Sequence, residues 1–484
     1  MSLDAHESEA FLALVRKSVG PVAVLLLLGV VFYSEAITSN MMPRPDALSR
    51  VGSAVVPFGV PSVTSGKGRI HVTYWEKWTD FEAQAMQDVV DRFNRSQNKI
   101  WVDYLTMSQI DQKVLVAASG GIPPDVAGLY GPNVPVYADD NAVIPLDSYC
   151  KKYGINKSQY IPAFWNIGFY KGHVYALPST PASVALHWNK AIFARYAGRL
   201  RAAGLDPTRP PRTLEELTKY ADALTIRENG KIVIAGFLPA EPGWWNWAWG
   251  DWFGGHLWNG RDRLTANSPE NIRGFTWVQA FSKKYGPQAV QTFRSGFGNF
   301  SSPQNAFMTG KVAMELQGVW MYNFITKFAP NLKWGVAPFP YPADRPDLKN
   351  MTIADEDVLC IPRGARHPAA AFQFIRYVES QQGMEMLCMG QRKFTPLIKV
   401  SPWFWKHHPN PYIRLFRDLT LGKNVVATPQ TGIWSQYNDE LNNAFESVSL
   451  DIKSPKQALD DVQQRMQPKL EEYLDLERRR KGQK

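Results

Sequence analysis

RIHVTYWEKWTDFEAQAMQDVVDRFNRSQNKIWVDYL, residues 69–105, carries the pattern that decides the fold. Ile70, Val72 and Tyr74 alternate with polar residues, the period of a strand with one face inward. Thr79-Asp80-Phe81-Glu82 then reads as a capping box. Behind it Phe81, Ala85, Val89 and Phe93 recur every four residues, which predicts a helix with one apolar stripe. A second strand follows at Ile100–Leu105. Outward from there, Ser108–Asp111 opens another helix that Gly120-Gly121 stops, and Val126–Leu129 is a third strand. Strands alternating with helices predict an α/β fold with a parallel sheet and ligand sites at the strand C-termini. The alternation resumes with helices at 214–224, 271–284, 368–379 and 382–390. Further strands are expected at 232–237, 312–316 and 334–337. Ser454-Pro455-Lys456-Gln457 caps a long amphipathic helix carrying Ala458, Val462, Met466, Leu470 and Tyr473.

A second stretch, PGWWNWAWGDWFGG (242–255), sets five of the chain's 17 tryptophans within nine positions. Indole is costly to leave in water and too large to bury often, so this cluster fills a core corner or lines a concave site. A ligand with an apolar face and a polar rim, such as a sugar ring, suits such a lining. Trp244, Trp245 and Trp247 are the ligand candidates, and Trp252, beside Phe253-Gly254-Gly255, is read as core.

The 484 residues are 45% hydrophobic and 20% charged, an ordinary globular balance with room for two or three domains. Net charge is +10, but it is scattered apart from a basic tail at 477–484, so no nucleic-acid surface is expected. Cys150, Cys360 and Cys388 lack metal-ligand spacing, and His407-His408 has no third ligand; no metal or cofactor is expected. Arg16-Lys17 precede an uncharged run at 18–34, and Ser34-Glu35-Ala36 is a small-x-small site. Residues 1–36 are therefore read as a signal peptide, cleaved to leave Ile37 first, or as an uncleaved signal anchor attaching the chain to the membrane. Residues 37–68 read as a Pro-, Gly- and Ser-rich linker.

Beyond these patterns, a series of segments occurs in a fixed order. It runs RIHVTYWEKW (69–78), DQKVLVAASGGIPPDVAGL (111–129), VIPLDSY (143–149), YKGHVYALPSTPASVALHWNKAIF (170–193) and TLEELTKYADALT (213–225). It continues with FGGHLW (253–258), AFMTGKVAMELQGVW (306–320), WGVAPFP (334–340), HPAAAFQFIRYVES (367–380) and SPKQALDDVQ (454–463). Together they resemble the family 1 extracellular solute-binding proteins, the maltose-binding-protein-like receptors of ABC importers, over about residues 69–476. AFMTGKVAMELQGVW is the most specific piece. The series departs from the family at His187-Trp188-Asn189, where a Tyr-Asn pair is usual, and at Ala354–Asp357, where a glycine-rich loop is usual. No cysteine lipid anchor is present.

The resemblance implies a two-lobe, type II periplasmic-binding-protein-like fold with hinge crossings. Lobe one is placed at 69–181 plus 357–400 and lobe two at 182–356 plus 401–476. It implies a non-catalytic, exported receptor, periplasmic or anchored to the outer face of the cytoplasmic membrane. Such a receptor is a monomer that holds a carbohydrate between its lobes and delivers it to an ABC permease. The ligand-facing loop after the first strand supplies Trp75, Glu76, Lys77 and Trp78. Tyr130 and Asn133 follow the third strand, Ser179 and Thr180 sit in the first crossing, and Trp320 is the stacking aromatic. Asp355 and Asp357 lie near the second crossing and fit acceptors of sugar hydroxyls. Asp125 is read as a structural cap, and Trp403 and Trp405 as rim aromatics or interlobe packing. Two rivals stand beside this reading: a same-fold receptor for a non-sugar solute, and a glycoside hydrolase using Glu241 and Asp251 as its acid pair.

Overall fold

A computed structural model describes residues 66–298 and 301–482. The 1–36 targeting segment and nearly all of the linker lie outside them, as does the end of the basic tail. Among the described residues, ten strands form the main sheet: β1 (Ile70–Glu76), β2 (Ile100–Thr106), β3 (Val126–Tyr130), β4 (Ala176–Asn189), β5 (Ile226–Glu228), β6 (Lys231–Phe237), β7 (Val312–Gly318), β8 (Trp334–Ala337), β9 (Thr352–Cys360) and β10 (Val425–Val426). Their order is β2-β1-β3-β9-β4-β7-β6-β5, with β8 beside β4 and β10 beside β9.

The expected parallel pairing holds in two units on either side of an antiparallel centre, with edge strand β5 antiparallel to β6 and the short β10 parallel to β9. β2, β1 and β3 run parallel, as do β6 and β7. Between them β9 pairs antiparallel with both β3 and β4, and β4 pairs antiparallel with β7. β4 and β9 thus stitch two parallel units together. Neither was marked by alternation, and the reason is burial. All 14 residues of β4 are buried, including Pro178 and Pro181. A strand covered on both faces has no polar period to show. The register between β4 and β9 shifts at this point: Asp357 lies opposite Thr180 and Val358 opposite Pro178, which passes over Ser179. Such an irregularity re-aims its neighbours and accommodates prolines that cannot donate to the ladder.

Each parallel unit has its own core. One gathers Val72, Val89, Phe93, Phe374 and Met384, and the other Leu186, Phe237, Phe275, Met314, Leu441 and Leu470. A third cluster, with Leu129, Phe164, Val358 and Phe416, lies along the central strands. The predicted helices form close to their expected bounds, the long C-terminal one at Pro455–Gly482. The capping box at Thr79 does not. Helix Asp80–Ser96 has no side-chain cap at Thr79, and the Glu82 carboxylate, the other half of the box, is instead drawn to Lys393 Nζ, 3.0 Å away. Asp125 is the structural residue expected: it accepts from the Thr73 and His367 amides at 3.0 and 2.7 Å. All three cysteines are buried and free.

Candidate functional site

The C-terminal ends of β1 and β3, the middle of β4 and the middle of β9 meet at one point. There the chain builds a charged hub. Lys77 follows β1, and its side chain is 7% exposed. Its ammonium lies 2.9 Å from Asp357 Oδ1 and 3.2 Å from Glu76 Oε1, with the Tyr130 ring centroid at 4.5 Å. Asp357 Oδ2 accepts from Trp78 Nε1 at 3.0 Å and from the Thr180 hydroxyl at 3.3 Å. Burial works against both charges. The carboxylates of Asp357 and Glu76 outweigh it and hold the Lys77 ammonium above its usual range. Lys77 and Lys393 likewise hold the Asp357 carboxyl below its usual value. Glu76 is fully buried and also accepts from the Tyr74 hydroxyl at 2.7 Å. It fits because position 128 is glycine: a Cβ there would lie 1.7 Å from its carboxylate.

In front of this hub opens a cavity of about 550 Å³, lined by Trp78, Glu82, Thr180, Phe324 and Lys393 among others. A second compartment of about 380 Å³ adjoins it, lined by Asn133, Trp245, Trp247, Trp434 and Asn438 among others. Tyr130, Trp244, Trp320 and Asp355 line both, so the two are parts of one cleft. The indoles form its aromatic wall. Trp244 and Trp320 lie 5.7 Å apart between ring centroids, Trp245 and Trp320 6.2 Å, and Trp247 meets Trp434 edge-on at 5.3 Å. Trp320 can fold back over β7 only because position 318 is glycine, where a Cβ would lie 2.3 Å from the ring. That is the physical content of the Gly-Val-Trp end of the 306–320 segment.

Asp355 differs from Asp357. It accepts the Glu356 amide at 2.8 Å, and burial, reinforced by the Asp357 charge, pushes its pKa up to about 6. Glu356 is buried with neither carboxyl oxygen hydrogen-bonded, and burial pushes its pKa well up.

Eleven of the sequence candidates are thus brought to the cleft: Lys77, Trp78, Tyr130, Asn133, Thr180, Trp244, Trp245, Trp247, Trp320, Asp355 and Asp357. Trp75, Glu76 and Ser179 do not line it. Trp75 alternates to the opposite side of β1 and packs on the central core. Glu76 serves the hub from below. Ser179 is the residue passed over in the β4 register, and its buried hydroxyl has no partner. Trp252 is 2% exposed and packs on Phe339. Trp403 is 57% exposed, and Trp405 lies beneath the Arg414 and Arg417 guanidinium groups. Sequence reasoning missed Lys393, Glu82, Phe324 and Trp434. Lys393 stands in no motif, and Glu82 was assigned to a cap. Among the described residues, no three His, Cys, Asp or Glu side chains gather to hold a metal ion.

The hydrolase pair is split. Glu241 lies in a separate cavity beside Arg294, and Asp251 lies in another beside His256. Burial raises both pKa values, but the two carboxyls face no common space.

The profile of the bacterial extracellular solute-binding proteins matches residues 88–410. The chain belongs to that family. Among relatives, the sn-glycerol-3-phosphate-binding periplasmic protein of Pectobacterium atrosepticum is 24% identical over 88% of this chain and 97% of its own. The maltotriose-binding protein of Pyrococcus abyssi is 21% identical over 64% of this chain and 62% of its own. Among solved structures, CpMnBP1 with mannotriose bound superposes with a TM-score of 0.70 at 27% identity, covering 82% of this chain and 99% of the other. The cyclic α-maltosyl-1,6-maltose-binding protein of Arthrobacter globiformis gives 0.66 at 20% identity, covering 83% and 99%. The fold is the two-lobed, type II arrangement of periplasmic binding proteins, and the chain is an exported, non-catalytic receptor. Among its described residues, no helix is long and apolar enough to cross a membrane.

Proposed function

We propose that this receptor captures an uncharged carbohydrate in the cleft and delivers it to the permease of an ABC importer. One observation carries the choice of ligand: an indole wall of Trp244, Trp245 and Trp320 faces Asp355 across a space that no arginine lines among the described residues. Stacking surface plus carboxylate acceptors suits sugar C–H faces and hydroxyls. A phosphate ester needs convergent donors with spare positive charge. Lys77 and Lys393 have none, since Asp357, Glu76 and Glu82 neutralise them. That argues against carrying the ligand of the sn-glycerol-3-phosphate-binding relative over to this chain, and the mannotriose-bound neighbour points the same way.

The lobes divide at 181/182 and 356/357, inside β4 and β9, and close over the ligand as a hinge. Phe81 and Phe324, 5.9 Å apart between ring centroids, face each other across that division. Residues 18–34 either direct export and are removed or anchor the receptor at the outer face of the membrane, where it works as a monomer.

Thermal shift against a panel of mono- and oligosaccharides, with glycerol 3-phosphate beside them, tests the reading. Ligand at a hundredfold excess over Kd adds about 2.7 kcal/mol of stability. The expected result is a shift with an oligosaccharide, which is then recovered intact by chromatography. A shift with glycerol 3-phosphate alone, or shortened products, would overturn it.

The same binding has a pH signature. Asp355, with its pKa of about 6, is an acceptor-only carboxylate at pH 7.5 and a neutral acid at pH 5. Charge-assisted hydrogen bonds are about twice as strong as neutral ones. Affinity is expected to fall roughly three- to tenfold between those pH values. Calorimetry on Asp355→Asn should give a flat, uniformly weak profile; an unchanged slope assigns the pH dependence elsewhere.

A further inference from the structure

The cleft does not end at its indole wall. On the far side of Trp244 lies a third compartment, of about 610 Å³, lined by Glu241, Gln291, Arg294 and Phe297 among others. Trp244 is 38% exposed and lines all three spaces, so a ligand stacked on it has room in each direction. The third space is chemically unlike the first two. Its wall carries a guanidinium fixed by a carboxylate: Arg294 Nη2 donates to the Ala240 carbonyl at 2.6 Å and Nε to Glu241 Oε2 at 3.3 Å. The Glu241 side chain is 13% exposed. These bonds hold the guanidinium in place, and Arg has five N–H donors, so two of them do not exhaust it. A fixed donor fork beside a fixed acceptor is the pairing that reads vicinal hydroxyls, because one oxygen accepts while its neighbour donates. Phe297 adds an apolar face next to it.

We infer that this compartment is an extension subsite, reached over Trp244, that binds the end of a linear oligosaccharide too long for the two-part cleft. The inference rests on the carbohydrate reading above and adds the length of the ligand to it. All the lining residues come from 241–298, within one proposed lobe. The subsite therefore holds its part of the ligand before closure as well as after it. The ligand is gripped at one end by a rigid platform while the opposite lobe swings in, and affinity grows with chain length.

Calorimetry with a linear series of one oligosaccharide, from two to six units, tests this on three proteins. They are the wild type, Gln291→Ala at an exposed position, and the charge-free pair Glu241→Gln with Arg294→Met. Wild-type affinity should rise with length and level off only beyond three units. Both variants should bind the two- and three-unit ligands as the wild type does. The double variant should lose roughly tenfold for the longer ones, and Gln291→Ala a smaller factor. A wild-type affinity flat from two units upward overturns the extension while leaving the carbohydrate reading intact. So does an equal loss at every length in Gln291→Ala. Absence of binding at every length sinks the carbohydrate reading and the extension with it.

Discussion

Trp320→Ala is expected to weaken ligand binding by about 2–4 kcal/mol, the range of buried aromatic anchors, or roughly 30- to 700-fold. The ring lines both parts of the cleft and closes the triangle with Trp244 and Trp245. Its loss removes stacking area on the ligand and leaves Trp244 without one wall. The ring also packs on the edges of two cores, so some stability is lost as well. The proper contrast is Trp252→Ala, in the tryptophan-rich segment that supplies Trp244 and Trp245 but 2% exposed. That change should cost about 3–5 kcal/mol of stability and leave the affinity of the folded fraction near wild type. Denaturation and calorimetry on both variants separate the roles. A Trp320→Ala protein that melts early yet binds normally would place Trp320 in the core.

How far the sequence reached follows from where each signal lay. The β1–helix–β2 unit was legible because its strands are covered unequally and its helix has one apolar stripe. The Gly318–Trp320 motif was legible because the close approach of a ring to a strand demands glycine. β4 and β9 were not, because full burial erases alternation and β9 carries Asp355, Glu356 and Asp357 in its middle. Local propensity reads such a strand as a loop. Lys393 was invisible for a different reason. It is a single lysine whose partners, Glu82 and Asp357, both come from more than 30 positions earlier in the chain, and nothing local marks a charge that folding will bury. The same holds for Glu76. Its position at the end of β1 pointed to a ligand-facing role, but only the glycine at 128 on the neighbouring strand shows that its carboxylate turns inward.

Lys77→Met is expected to be the most damaging single change in the hub, costing about 3–5 kcal/mol at pH 7, as removal of one member of a buried ion pair does. Methionine fills much the same volume, so the cost is charge, not cavity. Asp357 would keep its Trp78 and Thr180 hydrogen bonds but, as a cation, only Lys393, 4.0 Å away, and Glu76 would keep no cation among its hydrogen-bond partners. The pH dependence fixes the cause. In the wild type the folded pKa of Asp357 lies below its unfolded value. Its ion pairing therefore stabilises the fold above that unfolded value and is lost as pH falls through the folded one. In the variant the folded pKa moves up, so the carboxyl takes a proton sooner and the penalty shrinks as pH falls toward 4. The stability gap between wild type and variant should be widest at neutral pH and narrow in acid. Adding Asp357→Asn to Lys77→Met should recover part of the loss, because the uncompensated charge goes with it. Urea denaturation of the three proteins at pH 7.5 and 4.5 measures both effects. A gap that does not change with pH, or a double variant worse than the sum of its parts, would mean that Lys77 contributes packing and not charge.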